Sequence, residues 1–182
     1  MTVRAHFERK LNELRDEILY MGTLVEAELA LALDAFRTLD AEKAKQVTVA
    51  DRVVNRTRFD IEEKCFSLIV TQQPAARDLR TITTAMNIIV DLERMGDQAK
   101  GIAKVVPRLL KTPAQAPPPE LLQMGEVVGK MFSQVMLAFA NNNTDLARLI
   151  AKQDDEVDAM YARVFTQVMG QMAAAGSPEQ VE

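Results

Sequence analysis

Apolar side chains recur at every third or fourth position along most of the chain, which is the period of an α-helix with one buried face. The first three apolar stripes run over Phe7–Leu39, Ala44–Ile69 and Ala75–Val106. Asp40 is placed to cap the second helix, Pro74 to begin the third and Pro107 to end it. Each predicted helix has about 30 residues and a length of roughly 45 Å. Short turns between such helices predict an antiparallel up-and-down bundle.

Prolines separate this bundle from the rest of the chain. Five of the seven prolines lie between Pro107 and Pro119, a composition typical of a stiff linker. Two more amphipathic helices are predicted after it, over about 120–141 and 144–174. The predicted organisation is a three-helix bundle over residues 1–108, a proline-rich linker over 109–119, and the first two helices of a second bundle over 120–182.

The second half of the chain repeats the first. A shift of 103 residues, without gaps, matches ten of 38 aligned positions, and Asp51 with Asp154 is one of the pairs. The same shift moves the turn at Asp40 onto Asn143, another helix-capping residue. It places the start of a third helix of the second repeat at Ser177, close to the end of the sequence. The predicted fold is therefore all-α, with two tandem three-helix up-and-down bundles, the second lacking its third helix in this chain.

The composition of the chain excludes several kinds of binding site and of catalysis. With 22 Lys+Arg against 26 Asp+Glu, the net charge is −4 and the pI is about 5.2, which argues against sequence-independent binding of nucleic acid. One Cys and one His exclude an internal disulfide, a zinc–cysteine cluster and most His-dependent catalysis. The first residues lack the apolar core of a signal peptide, and no apolar run approaches the roughly 20 residues of a membrane span. We expect a cytoplasmic protein without direct membrane insertion, whose chemistry rests on carboxylates.

Five polar side chains interrupt the apolar faces of the first three helices. On a helical wheel, they lie at the flank of the apolar sector or inside it: Glu28, Asp51, Asn55, Glu93 and Asp97. Glu28 and Asp51 are each 11 residues from the first predicted turn. Asp51 is 22 residues before the second turn at Gln73, and Glu93 and Asp97 are 20 and 24 residues after it. Because equal distance from a shared turn gives equal height in antiparallel helices, we expect these five side chains, here called the acidic seam, to converge.

The acidic seam leaves several chemical interpretations open. Carboxylates gathered in a partly apolar place repel one another and are costly to desolvate. They are stable when protonated, when paired with a cation such as Arg58, or when bridged by a metal ion. Oxygen ligands favour magnesium, calcium, manganese or oxidised iron. An acidic pair spaced i,i+4, such as Glu93 and Asp97, is also common on a solvated helix face.

Two sequence blocks of the third helix carry a resemblance to a known family. They read Gln73-Pro74-x-Ala76-x-Asp78-Leu79-Arg80 and Asp91-Leu92-Glu93-Arg94-x-Gly96-Asp97, followed by Ile102-Ala103. This sequence resembles the PhoU family, the regulators tied to bacterial phosphate uptake, which are also built as two similar three-helix bundles. The resemblance covers essentially the whole chain.

The resemblance implies metal clusters, of iron or another metal, on Glu/Asp-x-x-x-Asp motifs at the bundle surface. Together with the acidic seam, the predicted ligands are Glu28, Asp51, Asn55, Glu93, Asp97, Asp154 and Asp158, for iron, magnesium or manganese. The sequence departs from the family pattern at three positions. Asn55 stands where an acid is usual, and Gly101 and Lys104 stand where Asn and Glu are usual.

By resemblance, the chain is a non-enzymatic regulator and a homodimer. It would be a cytoplasmic adaptor between the ATPase subunit of the phosphate ABC transporter and the membrane sensor histidine kinase of the phosphate regulon. It would restrain uptake and inhibit the kinase when phosphate is plentiful. One alternative is a carboxylate-bridged, ferritin-like metal enzyme, which the absence of a Glu-x-x-His motif disfavours. A metal-free structural helical adaptor is the other.

Overall fold

All secondary structure of the computed structural model is α-helical over the residues that it describes, 3–111 and 117–174. The helices are α1 Val3–Thr38, α2 Ala41–Gln72, α3 Ala76–Leu109, α4 Pro119–Ala140, α5 Thr144–Ala151 and α6 Asp154–Ala174. The predicted all-helical bundle fold is confirmed. None of the described helices combines the length and the apolarity that crossing a membrane requires.

The long helices α1, α2 and α3 pack against one another around two apolar clusters. The larger cluster contains Leu14, Ile18, Met21, Val25, Val54, Ile61, Ile82, Ile89 and Leu92, and the smaller one contains Ala32, Ala35, Ala44, Val47, Ala99, Ala103 and Val106. On each helix, the nearest buried members of the two clusters are seven residues, or about two turns, apart. Between them lie Glu28 on α1, Asp51 on α2 and Gly96 on α3. Two members of the acidic seam, Glu28 and Asp51, and Gly96 of the second sequence block therefore lie at one level, between the two apolar clusters.

Two equivalent turns support the internal repeat. Leu39 and Asn142 both adopt φ 50°, and each is followed by the residue that caps the next helix. The side chains of Asp40 and Asn143 accept hydrogen bonds from backbone N–H groups in the first turns of α2 and α5. Their own backbone N–H groups donate to carbonyls five residues earlier, at 3.0 and 2.8 Å. Both predicted helix caps are confirmed, at positions 103 residues apart.

Helix α3 differs from the prediction at both ends. It begins at Ala76, since Gln73 has a left-handed φ of 45° and Ala75 is extended, so Pro74 belongs to the connection. It also continues through Pro107 to Leu109. A proline so close to the helix end removes one backbone hydrogen bond without ending the helix at once. The expected stop at Pro107 was therefore too early.

The predicted single helix over 144–174 is wrong. A turn at Lys152 and Gln153 divides it into α5 and α6. Three consecutive acidic residues, Asp154, Asp155 and Glu156, follow in the first turn of α6. Negative side chains are favoured at a helix N-terminus by the helix dipole, so this sequence suits a new start.

Helix α4 packs against α1 and joins the two repeats. Phe132 of α4 is buried with the larger apolar cluster, and Met136 and Phe139 pack against it. At the α1–α4 contact, a Cβ atom at Gly22 would collide with Met136, and one at Gly125 with Leu33. At both glycines, the facing side chain occupies the space that a Cβ would take and would have to shift to admit one. Part of the predicted linker, residues 112–116, lies outside the described residues, as does Ser177.

Candidate functional site

Glu28 is the most deeply buried acid at the level between the two apolar clusters. Its side chain is 1% exposed, and neither carboxyl oxygen has a hydrogen-bond partner among the described residues. Gly96 of α3 lies against it, so that a Cβ there would be 3.0 Å from Oε2. Burial raises the pKa of Glu28 to about 8, and the nearby charge of Asp51 adds to this effect. Glu28 is therefore uncharged near neutral pH, which satisfies the first of the three predicted ways to stabilise buried acids.

Lys100 forms ion pairs with the two neighbouring carboxylates. Its Nζ donates to Asp51 Oδ2 and to Asp97 Oδ1, each at 2.7 Å. The side chain of Asp51 is 7% exposed, that of Lys100 20% and that of Asp97 48%. The exposure of the three charged groups therefore increases from α2 towards the outer face of α3. The two carboxylates raise the pKa of Lys100, which keeps it charged. We call Glu28, Asp51, Asp97 and Lys100 the Lys100 cluster.

The remaining members of the acidic seam do not join the Lys100 cluster. The side-chain amide of Asn55 donates to the backbone carbonyl of Asp51 at 3.0 Å, within α2. Glu93 is half-buried on α3 and has no hydrogen bond or ion pair with another described residue. The structure thus brings together three of the five predicted side chains, Glu28, Asp51 and Asp97.

The cation that pairs with the acidic seam is Lys100 and not Arg58, the example that the sequence analysis gave. Arg58 pairs with Glu62, one turn away on α2, at 3.5 Å. A signal for Lys100 was present in the sequence, because a helical wheel places it about 20° from Ile89, nearer the apolar face than Asp97 at about 80°. The acids on this face of α3 were predicted from the sequence, and the base among them, Lys100, was not.

The predicted ligands of the second repeat lie on α6. Asp154 and Asp158 are one turn apart and exposed, and neither forms an ion pair with a described residue. Asp154 borders a cavity of about 370 Å³ between the two halves of the molecule. The other lining residues are apolar except for Gln98: Val25, Leu29, Met95, Ala99, Ile102, Val128, Met131, Phe132, Val135, Ile150 and Val157. Among the described residues that line this cavity, Asp154 is the only acid.

The Lys100 cluster does not fit a metal ion in this arrangement. Its oxygens are of the hard type that magnesium, manganese or ferric iron prefers, and Asp51 Oδ1 is buried without a hydrogen-bond partner. However, the Lys100 ammonium already bridges Asp51 and Asp97. In the described part of the chain, no three His, Cys, Asp or Glu side chains are arranged to hold a metal ion. The positive charge at this place comes from the protein itself.

The first block of the third helix has a packing role. Asp78 in the first turn of α3 is buried and accepts a hydrogen bond from Arg4 Nη1 at 2.6 Å. This ion pair ties the beginning of α3 to the beginning of α1. In the second block, Gly96 allows the close approach of α3 to Glu28. Both blocks therefore fix how α3 sits on the other two helices.

A helical bundle with one of these blocks at the start of its third helix and the other further along that helix belongs to a known class. A family model described as "PhoU domain" matches residues 18–106 and 121–182, which covers both repeats. The chain belongs to the PhoU family, as the two blocks predicted.

Curated relatives and solved structures agree with this assignment. A "Phosphate-specific transport system accessory protein PhoU homolog" of Clostridium acetobutylicum is 35% identical over 171 residues, covering 93% of this chain and 78% of the relative. One of Zymomonas mobilis is 37% identical over 164 residues, covering 90% and 69%.

Two crystal structures share the fold. The phosphate transport system regulatory protein PhoU from Streptococcus pneumoniae superposes with a TM-score of 0.86 at 32% identity, covering 92% of this chain and 79% of that one. PhoU from Pseudomonas aeruginosa gives 0.87 at 32% identity, covering 92% and 81%. The relatives are named as accessory or regulatory proteins, and the family is non-enzymatic, which disfavours the ferritin-like alternative.

Proposed function

We propose that this chain is a negative regulator of phosphate uptake and of phosphate-regulon signalling. The observation that carries the proposal is the family match along both repeats, together with relatives named for phosphate-specific transport. The regulator acts by binding other proteins and not by chemical turnover. Its partners are the ATPase subunit of the phosphate ABC transporter and the sensor histidine kinase of the regulon. It works as a homodimer at the cytoplasmic side of the membrane.

The structure gives this role a physical basis. Helices of 36, 32 and 34 residues pack around two shared apolar clusters, and grooves between long helices suit the binding of partner helices. In this proposal, different grooves of the bundle bind the transporter subunit and the kinase. Binding that depends on phosphate status would then couple uptake to signalling.

Co-purification tests the adaptor role. A tagged chain is recovered from cells grown in high and in low phosphate, and the bound proteins are identified by mass spectrometry. We expect the transporter ATPase and the sensor kinase in the eluate, with more of the kinase when phosphate is plentiful. If neither associates under either condition, the adaptor role is wrong. Light scattering on the purified chain tests the dimer separately, since a monomeric mass would contradict it.

Metal binding is part of the proposal in a conditional form. A metal ion using Asp51 and Asp97, with Glu93 or Glu28 beside them, requires the Lys100 ammonium to leave those carboxylates. Equilibrium dialysis against manganese or ferric citrate, with the wild type and with Lys100→Gln, tests this competition. We expect stronger metal retention by the variant. Circular dichroism of both proteins controls for folding, and a lack of retention by both would rule out a metal site at this place.

A further inference from the structure

A cleft between α1, the first turns of α3 and the end of α4 gathers three arginines. The cleft has a volume of about 550 Å³ and is lined by Leu11, Asn12, Leu14, Arg15, Ile18, Arg77, Arg80, Thr81, Thr84, Ala85, Ile88, Phe139 and Asn142. All three of its charged residues are basic, although the whole chain carries a net charge of −4. We call this place the arginine cleft.

No acidic side chain lines the arginine cleft in the described structure, so its positive charges have no counter-charge there. Arg77 and Arg80 are exposed, and neither side chain forms an ion pair or a hydrogen bond with another described residue. Arg15 is held in place because its Nη2 donates to the backbone carbonyls of Phe139 and Ala140. Its Nε is buried and has no hydrogen-bond partner in the described structure. One guanidinium is thus anchored with a donor unused, and two others stand free at the rim.

The side chains of the arginine cleft favour a phosphate group as ligand. A guanidinium binds the oxygens of a phosphate group with two parallel hydrogen bonds, and the hydroxyl of Thr84 adds a further donor. The hydroxyl of Thr81 donates to the backbone carbonyl of Arg77 within α3. Arg77, Arg80 and Thr84 recur at intervals of three and four residues, so α3 presents them on one face. Apart from the amides of Asn12 and Asn142, the rest of the lining is apolar and includes Phe139, and the volume far exceeds that of a single inorganic anion.

We propose that the arginine cleft binds a dianionic phosphate group, with room for an apolar substituent attached to it. The shared chemistry admits two sources, free inorganic phosphate and the phosphoryl group of a phosphomonoester. The size and the apolar walls favour the phosphomonoester. The inference is independent of the proposed adaptor role, because it concerns the isolated chain and requires no partner protein.

Isothermal titration calorimetry on the full chain, in phosphate-free buffer of constant ionic strength, tests this assignment. The probes are inorganic phosphate and phenyl phosphate. The test variant is the double substitution Arg77→Gln/Arg80→Gln, which leaves the anchored Arg15 in place. The control is Arg52→Gln/Arg94→Gln, which changes the net charge equally at exposed positions outside the cleft.

We expect the wild type and the control to bind phenyl phosphate more tightly than phosphate. The test variant should lose at least about tenfold in affinity for both, since two charge-assisted contacts are removed. Tighter binding of phosphate than of phenyl phosphate would contradict the apolar part of the assignment. Equal loss of affinity in both double variants would contradict the assignment, because the loss would then come from the change in net charge and not from the cleft. Heats no larger than those of sodium chloride at the same ionic strength would overturn the whole assignment.

Discussion

The Lys100 cluster and the arginine cleft are both charged and both use α1 and α3, yet they differ in where the opposite charge comes from. In the cluster, a buried carboxyl is uncharged and the two carboxylates share one ammonium at 2.7 Å. In the cleft, three guanidinium groups face a cavity without a lining acid. Burial explains the difference. Charges in the core must be cancelled inside the protein, whereas solvent screens those at a rim and leaves them available to a ligand.

The largest expected effect is that of Lys100→Met. The substitution leaves Asp51 as a buried carboxylate without its cation, so we expect a loss of about 2–4 kcal/mol in the free energy of unfolding. Urea denaturation at pH 7 measures it. Lys104→Met, at an exposed position one turn further along α3, is the control and should change stability by less than about 0.5 kcal/mol. Equal effects of the two substitutions would mean that the Lys100 cluster contributes little to stability.

Glu28→Gln should change how stability depends on pH. The pKa of Glu28 rises from 4.5 to about 8, so between these values the folded chain holds one proton more than the unfolded chain. Rising pH therefore removes stability from the wild type through this window, on the order of 3 kcal/mol between pH 5.5 and 8. The variant lacks this dependence, and its stability relative to the wild type should increase by that amount.

Urea denaturation at several pH values measures the difference between the two curves. Glu63→Gln, at an exposed position on α2, should follow the wild type at every pH. Parallel curves for Glu28→Gln and the wild type would show that Glu28 is ionised in the folded protein.

Gly96→Ala and Gly101→Ala should have opposite signs. At Gly96, the new Cβ would lie 3.0 Å from Glu28 Oε2 and 3.4 Å from Val54 Cγ1, inside the core. We expect a loss of about 1–2 kcal/mol, because crowding exceeds the gain in helix propensity. At Gly101, no atom lies within 4 Å, so alanine should add about 0.5–1 kcal/mol. Thermal denaturation of both variants checks the signs, and stabilisation by Gly96→Ala would contradict the close approach of α3 to Glu28.

The smallest expected effect on stability is that of Arg77→Gln/Arg80→Gln. Both arginines are exposed and unpaired among the described residues, so without an anion the free energy of unfolding should change by less than about 0.5 kcal/mol. Urea denaturation in phosphate-free buffer measures it. A large loss would show that these arginines serve the fold, as Lys100 does, and would remove the contrast between the two regions.

Much of the fold follows from local signals. Apolar periodicity predicts the helices, and Asp40 and Asn143 predict the caps, because a helix start depends on backbone N–H groups and the side chain beside them. The break between α5 and α6 was missed, because the apolar period continues across Lys152 and Gln153.

The candidate site was predictable only in part. Turn distances brought Glu28, Asp51 and Asp97 to one level, since helix length sets height in an antiparallel bundle. Distances along a helix do not determine which long side chain reaches into the space between helices, and Lys100 was therefore missed. Whether a metal ion also binds there stays a prediction.

The sequence by itself determined the helical period, the repeat of 103 residues and the family, because these are properties of residue order. The tertiary structure decided which charges meet. Lys100 reaches Asp51 because α3 lies close to the other two helices, and Gly96 permits that approach. The arginine cleft exists because α4 packs on α1 and its terminal carbonyls hold Arg15 opposite Arg77 and Arg80. Such pairings depend on the rotation and spacing of whole helices, which no local pattern specifies.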